Sequence, residues 1–408
     1  MEPTVTARLV RLLLSLAAAA LVIGSGPRPP AVPGGGNQSL PVWRVAKEYE
    51  IGRAGLGLMG PVGVVIARGG AVVVLDRSEP FVRVHGANGR GTAEFIRRGG
   101  GPGELQSPGG MGWRGDSIWV YDFAQHRLTL FNQEGKYLRS RPISQGAIPG
   151  SSGVRPIALL ANGGVMVQGS NFADDPTPSG GATTPVAIIE SSSGRVRTIA
   201  RVASVHRGLR FKVLVEGSPG ESNTDQPFSD DPLLATPKDG SSLVVVDRQV
   251  PPIGVRSAFT ITVLNPGGDT IARNSVPYQP LPLNRSELDG VVSGLLRAVR
   301  IPIRGGPKIE GDEADLRAAL YRPRFLPPAF SLNVGRDGTI WLRTNPVTDA
   351  GGPPADFSIF DRNGKPLAKL SIPPADQLRL LEADAGHLWV ATVEDDGTPL
   401  VVGYRIVR

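Results

Sequence analysis

From residue 42 onward one unit recurs: a run of β-branched and aromatic residues, a tight glycine turn, then a second such run. The turns fall at Gly70, Gly115, Gly163, Gly240, Gly338 and Gly386. Residues 62–67 and 71–76 flank the first, and Asp116-Ser117-Ile118-Trp119-Val120-Tyr121-Asp122 follows the second. An Asn-Gly or Asp-Gly turn between two such runs is a strong hairpin signal, because its centre needs residues that tolerate positive φ. The turn glycines are 45, 48, 77, 98 and 48 residues apart. Three intervals agree on a period near 47, and the other two exceed it by about 30 and about 51. Each unit also has a second hairpin, such as 127–131 with 137–143 around Glu134-Gly135, or 357–360 with 367–372 around Asn363-Gly364. Four short strands repeated every 40–50 residues predict propeller blades.

The sixth unit has strands at 378–384, 388–393 and 400–407, and then the chain ends. Residues 42–50 form an orphan strand ahead of the first unit. Joining the two completes the last blade and pairs both open sheet edges. The predicted fold is therefore all-β: a six-bladed β-propeller of four-stranded antiparallel blades over 42–408, its last blade closed by the N-terminal strand. Composition agrees. Gly 53 and Pro 38 make about 22% of the chain, against about 12% in an average protein, which excludes a helical bundle. A 40% hydrophobic content excludes global disorder. With no cysteine, disulfides, thiolate chemistry, Fe–S clusters and Cys-type zinc sites are excluded.

Residues 1–30 read as a secretory signal peptide, with an uncleaved anchor as the alternative. Arg8 and Arg11 precede an apolar run over 12–23 broken only by Ser15, and small residues follow. Twelve residues reach about 18 Å as a helix, short of a hydrocarbon core of about 30 Å. Residues 31–41 continue a Pro/Gly linker. The expected location is the periplasm or the outside of the cell, with membrane contact only through the N-terminal segment. The net charge of +7 comes mostly from arginines scattered evenly along the chain. Nucleic-acid binders cluster such residues among aromatics, so no nucleic-acid partner is expected. Removing 1–30 lowers the charge by two, to +5.

A four-stranded meander sorts its loops by face. The short a–b and c–d turns lie on one side, and the b–c loops and d–a connections on the other. Every long segment falls in the second class, including connections 98–108, 203–231 and 277–330 and loops 169–184, 248–257 and 344–355. Elaboration is thus expected on one face, around the mouth of the central channel. The helical insertion, 278–328, lies between blades 4 and 5. Ser286 with Glu287 and Asp289 suggests a helix start leading into Leu288, Val291, Val292, Leu295, Leu296 and Val299. A second short helix covers 312–320. The pair either caps the channel mouth or packs on a blade edge.

The stretch Tyr121-Asp122-Phe123-Ala124-Gln125-His126-Arg127-Leu128 through Glu134-Gly135-Lys136 resembles an NHL-type propeller repeat. More closely, the chain resembles the bacterial exported six-bladed β-propeller proteins of the NHL-like and TolB-like group. It carries Gly101-Pro102-Gly103-Glu104 after the first blade, and Leu326-Pro327-Pro328 before Asp337-Gly338-Thr339-Ile340-Trp341. The resemblance spans about 42–408. It implies fold and export and supplies no catalytic signature.

Candidate chemistry is sparse. His85, His126, His206 and His387 are too dispersed for metal-ligand spacing, and no zinc-protease, EF-hand or serine-elbow motif occurs. The glycines at 99–103 lack the Lys-Ser/Thr of a phosphate loop. Asp76-Arg77, Asp122 and Asp247-Arg248 recur at the ends of b strands, and His126 lies in a b–c loop. Either Asp76, Arg77, Asp122, His126, Asp247 and Arg248 ring the channel mouth as ligand contacts, or each Asp caps its own turn. Trp119, Trp341 and Trp389 occupy matching b-strand positions and are expected to pack between blades. The expected function is a monomeric exported scaffold, without an identified cofactor, that binds a peptide, saccharide or envelope-protein partner on the long-loop face. The alternative is a lactonase- or lyase-like propeller with a divalent cation, calcium or magnesium, in its axial channel.

Overall fold

The computed structural model describes residues 40–408 apart from 53–56, 59, 68–69, 78, 152, 171–182, 205–207, 250–256, 301–307, 347–353 and 395–396. The leader, nearly all of the linker, His206 and much of the three long b–c loops lie outside the described residues.

The first strand, β1 (Val42–Ile51), belongs to the last blade in sequence terms and is treated with it below. Four consecutive antiparallel strands then form a sheet: β2 (Pro61–Ile66), β3 (Val72–Asp76), β4 (Val82–His85) and β5 (Gly91–Phe95). The pattern repeats with β6 (Pro108–Arg114), β7 (Ser117–Asp122), β8 (Arg127–Asn132) and β9 (Tyr137–Pro142). A third sheet holds β10 (Gly153–Leu159), β11 (Val165–Ser170), β12 (Thr183–Ile189) and β13 (Val196–Ala203). After a hairpin of β14 (Leu209–Val215) and β15 (Ser218–Thr224) comes a further four-stranded sheet. Its strands are β16 (Leu233–Ala235), β17 (Leu243–Asp247), β18 (Ala258–Leu264) and β19 (Thr270–Pro277). Helix α1 (Arg285–Arg300), the short β20 (Ile309–Gly311) and helix α2 (Glu313–Ala319) follow in the chain. The remaining strands are β21 (Ser331–Val334), β22 (Ile340–Arg343), β23 (Ala355–Phe360), β24 (Pro366–Ile372), β25 (Asp376–Ala383), β26 (His387–Val393) and β27 (Pro399–Val407). Repeated four-stranded meanders packed face to face make this a β-propeller.

The two chain ends meet as the unpaired edges require. β1 runs antiparallel to β27, with Arg44 opposite Val407 and Ile51 opposite Val401. Its first two residues also pair in parallel with Lys369 and Leu370 of β24, so the strand bridges two meanders. Tyr49 locks the join. Its hydroxyl accepts a 2.7 Å hydrogen bond from Trp389 Nε1, and its ring lies over Gly403 of β27 and Gly89 of the β4–β5 turn. A Cβ at Gly403 would come within 2.6 Å of the ring, and one at Gly89 within 2.5 Å. Gly89 also has φ +77, so both space and backbone require glycine there.

The core is a series of layers between neighbouring sheets. Val73, Leu75, Phe81 and Val82 pack against Met111, Ile118, Val120 and Phe131. Trp119, Tyr121 and Leu128 pack against Val154, Val165 and Ala187. Ala158, Met166 and Ile188 meet Leu243 and Leu264, and Val246, Phe259 and Ile261 meet Ile340, Leu342 and Phe360. Trp341, Phe357 and Leu370 meet Leu388, Val390 and Val402, and Leu381, Trp389 and Val401 return to Val64, Val72 and Val74. Trp119, Trp341 and Trp389 are all buried, as their shared b-strand position predicts. Each fully buried side chain of this kind contributes roughly 1.5–3 kcal/mol.

The long connections differ from the sequence reading in one respect. Residues 203–231, expected only as a long d–a connection, contain the β14–β15 hairpin. Leu209, Phe211, Val213 and Val215 alternate with polar residues, and Glu216 and Gly217 supply two positive φ angles at the turn. β14 then pairs with β20 from the later insertion, Val213 opposite Gly311 and Val215 opposite Ile309. Buried Leu209, Phe211 and Val213 pack on Val292 and Leu296 of α1 and on Leu316 and Leu320. The two excursions thus build one small sheet-and-helix layer. The start of α1 is also corrected: its cap is Asn284, not Ser286. Asn284 Oδ1 accepts from the Glu287 N–H at 2.9 Å, while Glu287 Oε2 accepts from the Asn284 N–H at 3.1 Å, a reciprocal capping box. Asp312 caps α2 by accepting from the Asp315 N–H, while its own N–H donates to the Lys212 carbonyl.

Candidate functional site

In most inner hairpins the last residue of the b strand lies opposite the first residue of the a strand. Asp76 faces Pro61, Asp122 faces Pro108, and Arg343 faces Ser331. These ends lie on the side from which the d–a connections and b–c loops emerge.

The recurring aspartates there serve their own turns in two of three cases. Asp122 is fully buried. Its Oδ2 accepts from the Gln106 N–H at 2.6 Å, and its Oδ1 accepts from the N–H groups of Ser107, Ala124 and Gln125. One carboxylate thereby ties the β7–β8 turn to the connector that precedes β6. Arg127 completes the tie, donating to the carbonyls of Gly100, Gly101 and Glu104, while Glu104 Oε2 accepts from the Gly101 N–H. A Cβ at Gly99 would sit 2.0 Å from Glu104 Oε2. That explains the Gly-Pro-Gly-Glu connector as a clamp rather than an anion cradle. Asp76, also fully buried, accepts from the Arg77 N–H at 2.6 Å, with the buried Arg83 guanidinium 3.8 Å away.

Asp247 is exposed, with a marginal 3.4 Å contact from the Gln249 N–H, and His126 and Arg77 are exposed as well. Arg248 is buried. Its Nε donates to the Asp231 carbonyl at 2.6 Å, and its Nη1 to the Ala329 carbonyl at 2.5 Å. Those carbonyls end the two excursions, so Arg248 pins both to the β17–β18 turn. Burial drags its pKa down to about 10, against the pull of Asp230 and Asp231. The six sequence candidates therefore divide: Asp76, Asp122 and Arg248 are internal ties, while Arg77, His126 and Asp247 reach solvent.

Sequence reading missed three arginines on this face. Arg343 stands where other units carry Asp, which hid the correspondence; it is buried and donates to the carbonyls of Leu378 and Pro346. Arg155 and Arg379 lie on innermost strands, β10 and β25. Arg155 Nη2 donates to Gln168 Oε1 at 2.9 Å, and Arg379 Nη2 donates to the Pro61 carbonyl at the start of β2. Both side chains reach solvent, yet desolvation pulls both pKa values below the ordinary arginine range. The combination describes side chains in a solvent-filled recess. Asp225, from the first excursion, partly opposes the fall at Arg155, whereas Arg77 adds to it at Arg379. Their signal in the sequence was a charged residue inside an innermost strand. Phe123, in the β7–β8 turn, is 39% exposed and stands over Gly109, its ring edge-on to Tyr121 at 5.0 Å.

A groove of about 340 Å³ lies on the opposite, short-turn side, lined by Trp113, Arg114, Asn162, Asp239 and Pro266 among others. Its polar side chains serve its own walls. Asn162 accepts from the Gly164 N–H, Asp239 from the Ser241 N–H, and Arg114 donates to the Ala161 carbonyl. Among the described residues, no three of His, Asp and Glu gather as a metal site, and no helix is long and apolar enough to cross a membrane.

The molecule is thus a β-propeller whose excursions and solvent-reaching arginines share one face. It is similar in structure to a protein described as exported from Bacteroides fragilis, at 10% identity and a TM-score of 0.45, covering 90% of this chain and 95% of that one. It is likewise similar to a member of the DUF4221 family from Bacteroides vulgatus, at 9% identity and a TM-score of 0.46, covering 89% and 98%. Virginiamycin B lyase from Staphylococcus aureus aligns at 12% identity and a TM-score of 0.40, covering 85% and 95%. The resemblance read from the sequence, to bacterial exported propeller proteins, accords with these neighbours. No family model and no curated protein matches the chain.

Proposed function

We propose that the chain is an exported six-bladed propeller scaffold that binds a peptide, saccharide or protein partner on its long-loop face. Six core layers, each joining consecutive meanders and the last returning to the first, support the closed ring. The apolar run at 12–23 behind Arg8 and Arg11 supports export, and residues 42–408 are the folded domain. One observation carries the choice of face. The two longest connections, far apart in the chain, assemble one layer there and are tied to the scaffold by a buried arginine. Excursions organised to this degree on a rigid frame are where propellers present binding surfaces.

The test compares the two faces. Phe123→Ala on the long-loop side and Asp239→Ala on the short-turn side are screened beside wild type on peptide and glycan arrays. Loss of the bound set with Phe123→Ala, and its retention with Asp239→Ala, is expected; the reverse pattern moves the site to the short-turn groove. On this reading calcium and magnesium leave the melting temperature unchanged. A rise of several degrees with either ion would instead require a bound cation.

A further inference from the structure

Arg77 and Arg379 both meet the start of β2 on the long-loop side: the Arg77 N–H donates to the Gly60 carbonyl, and the Arg379 guanidinium to the carbonyl of the next residue, Pro61. Arg77 follows the buried end of β3, and Arg379 reaches from β25 to the carbonyl of Pro61, which pairs with Asp76. Both are exposed. Two guanidinium groups held together repel each other, and a bound anion converts that repulsion into attraction. The planar fork of arginine matches a carboxylate in two parallel hydrogen bonds.

On the next meander, Phe123 presents an exposed ring over the start of β6, fixed by Tyr121 and allowed by the bare backbone of Gly109. A Cβ at Gly109 would fall 1.7 Å from the ring. The meander bearing Phe123 follows the one bearing Arg77 and precedes the one bearing Arg155. A rigid aromatic face between cationic groups suits a chain of sugar rings, whose C–H faces stack while their acid groups point outward.

We propose that the channel mouth binds an acidic oligosaccharide. One uronate carboxylate lies between Arg77 and Arg379, a sugar ring lies on Phe123, and a second carboxylate reaches Arg155. This rests on the proposed binding face and names the ligand class it takes.

The probe is a linear triuronate, titrated calorimetrically into the full chain beside its fully methyl-esterified form and triglutamate. Triuronate should bind, and its affinity should fall at least tenfold on raising salt from 50 to 500 mM. Arg77→Gln should weaken binding roughly tenfold and flatten the salt dependence. Arg77 makes no described side-chain hydrogen bond, so this variant keeps the fold where Arg379→Gln could loosen β2. Phe123→Ala should weaken binding with the salt dependence unchanged. Absence of triuronate binding, or triglutamate binding equally well, overturns the proposal. Equal binding of the methyl ester, lost in Phe123→Ala, also overturns it but leaves the long-loop face as the binding surface.

Discussion

Replacing Arg248 with methionine should cost about 3 kcal/mol of stability and detach both excursions from the scaffold. The side chain is buried and donates to two backbone carbonyls, at Asp231 and Ala329. Methionine fills a similar volume but leaves those acceptors without donors, at roughly 1–3 kcal/mol each. It also removes the positive charge that Asp230 and Asp231 favour at this site. The melting temperature should fall by about 4 °C. The diagnostic readout is local: amide exchange should quicken across β14, β20 and the segment leading into β21. If exchange quickens uniformly, or β14 stays as protected as before, the arginine is not what holds the excursions. Arg77→Met, at an exposed position, serves as the control and should change stability little.

Glu382 should make the protein lose stability as pH rises toward neutrality. It lies at the end of innermost strand β25, is 1% exposed, and accepts from the Ala383 N–H. Desolvation lifts its pKa from an ordinary 4.5 to about 7, against the smaller opposing pull of Lys238, Arg336 and that hydrogen bond. In the unfolded chain the carboxyl ionises above about 4.5, while the folded protein holds the proton until about 7. The folded state therefore binds more protons between these values. Stability is highest below the unfolded pKa, falls through the window, and levels off above about 7. The difference corresponds to about 3 kcal/mol. Glu382→Gln keeps the acceptor and the shape without the charge. It should match wild type near pH 4.5 and exceed it by up to about 3 kcal/mol at pH 8. Denaturant unfolding across pH 4–8 measures this. A flat difference between the two proteins would show that Glu382 does not stay protonated in the fold.

Much of the fold was legible because its signals are local. Turn glycines at 70, 115, 163, 240, 338 and 386 and the alternating runs around them mark hairpins without reference to anything distant. The orphan strand at 42–50 could be assigned to the C-terminal unit because an unpaired edge has only one partner short of a strand. The β14–β15 hairpin was equally local and was passed over, because its insertion broke the period that organised the reading. The site was much less legible. Asp122 and Asp247 look alike as b-strand ends, yet one is spent on four backbone N–H groups and the other reaches solvent. Only the course of the preceding connector separates them.

The sequence by itself determined the repeat, the strand spacing, the direction in which each loop emerges and the pairing of the chain ends. Each follows from backbone geometry within one unit or from the need to satisfy an open edge. The tertiary structure decided which arginines are buried ties and which reach solvent, and that two excursions about a hundred residues apart share one sheet. Those outcomes depend on which groups meet across the ring, and the free energy of burying or exposing a charge is set by its neighbours in space, not by its neighbours along the chain.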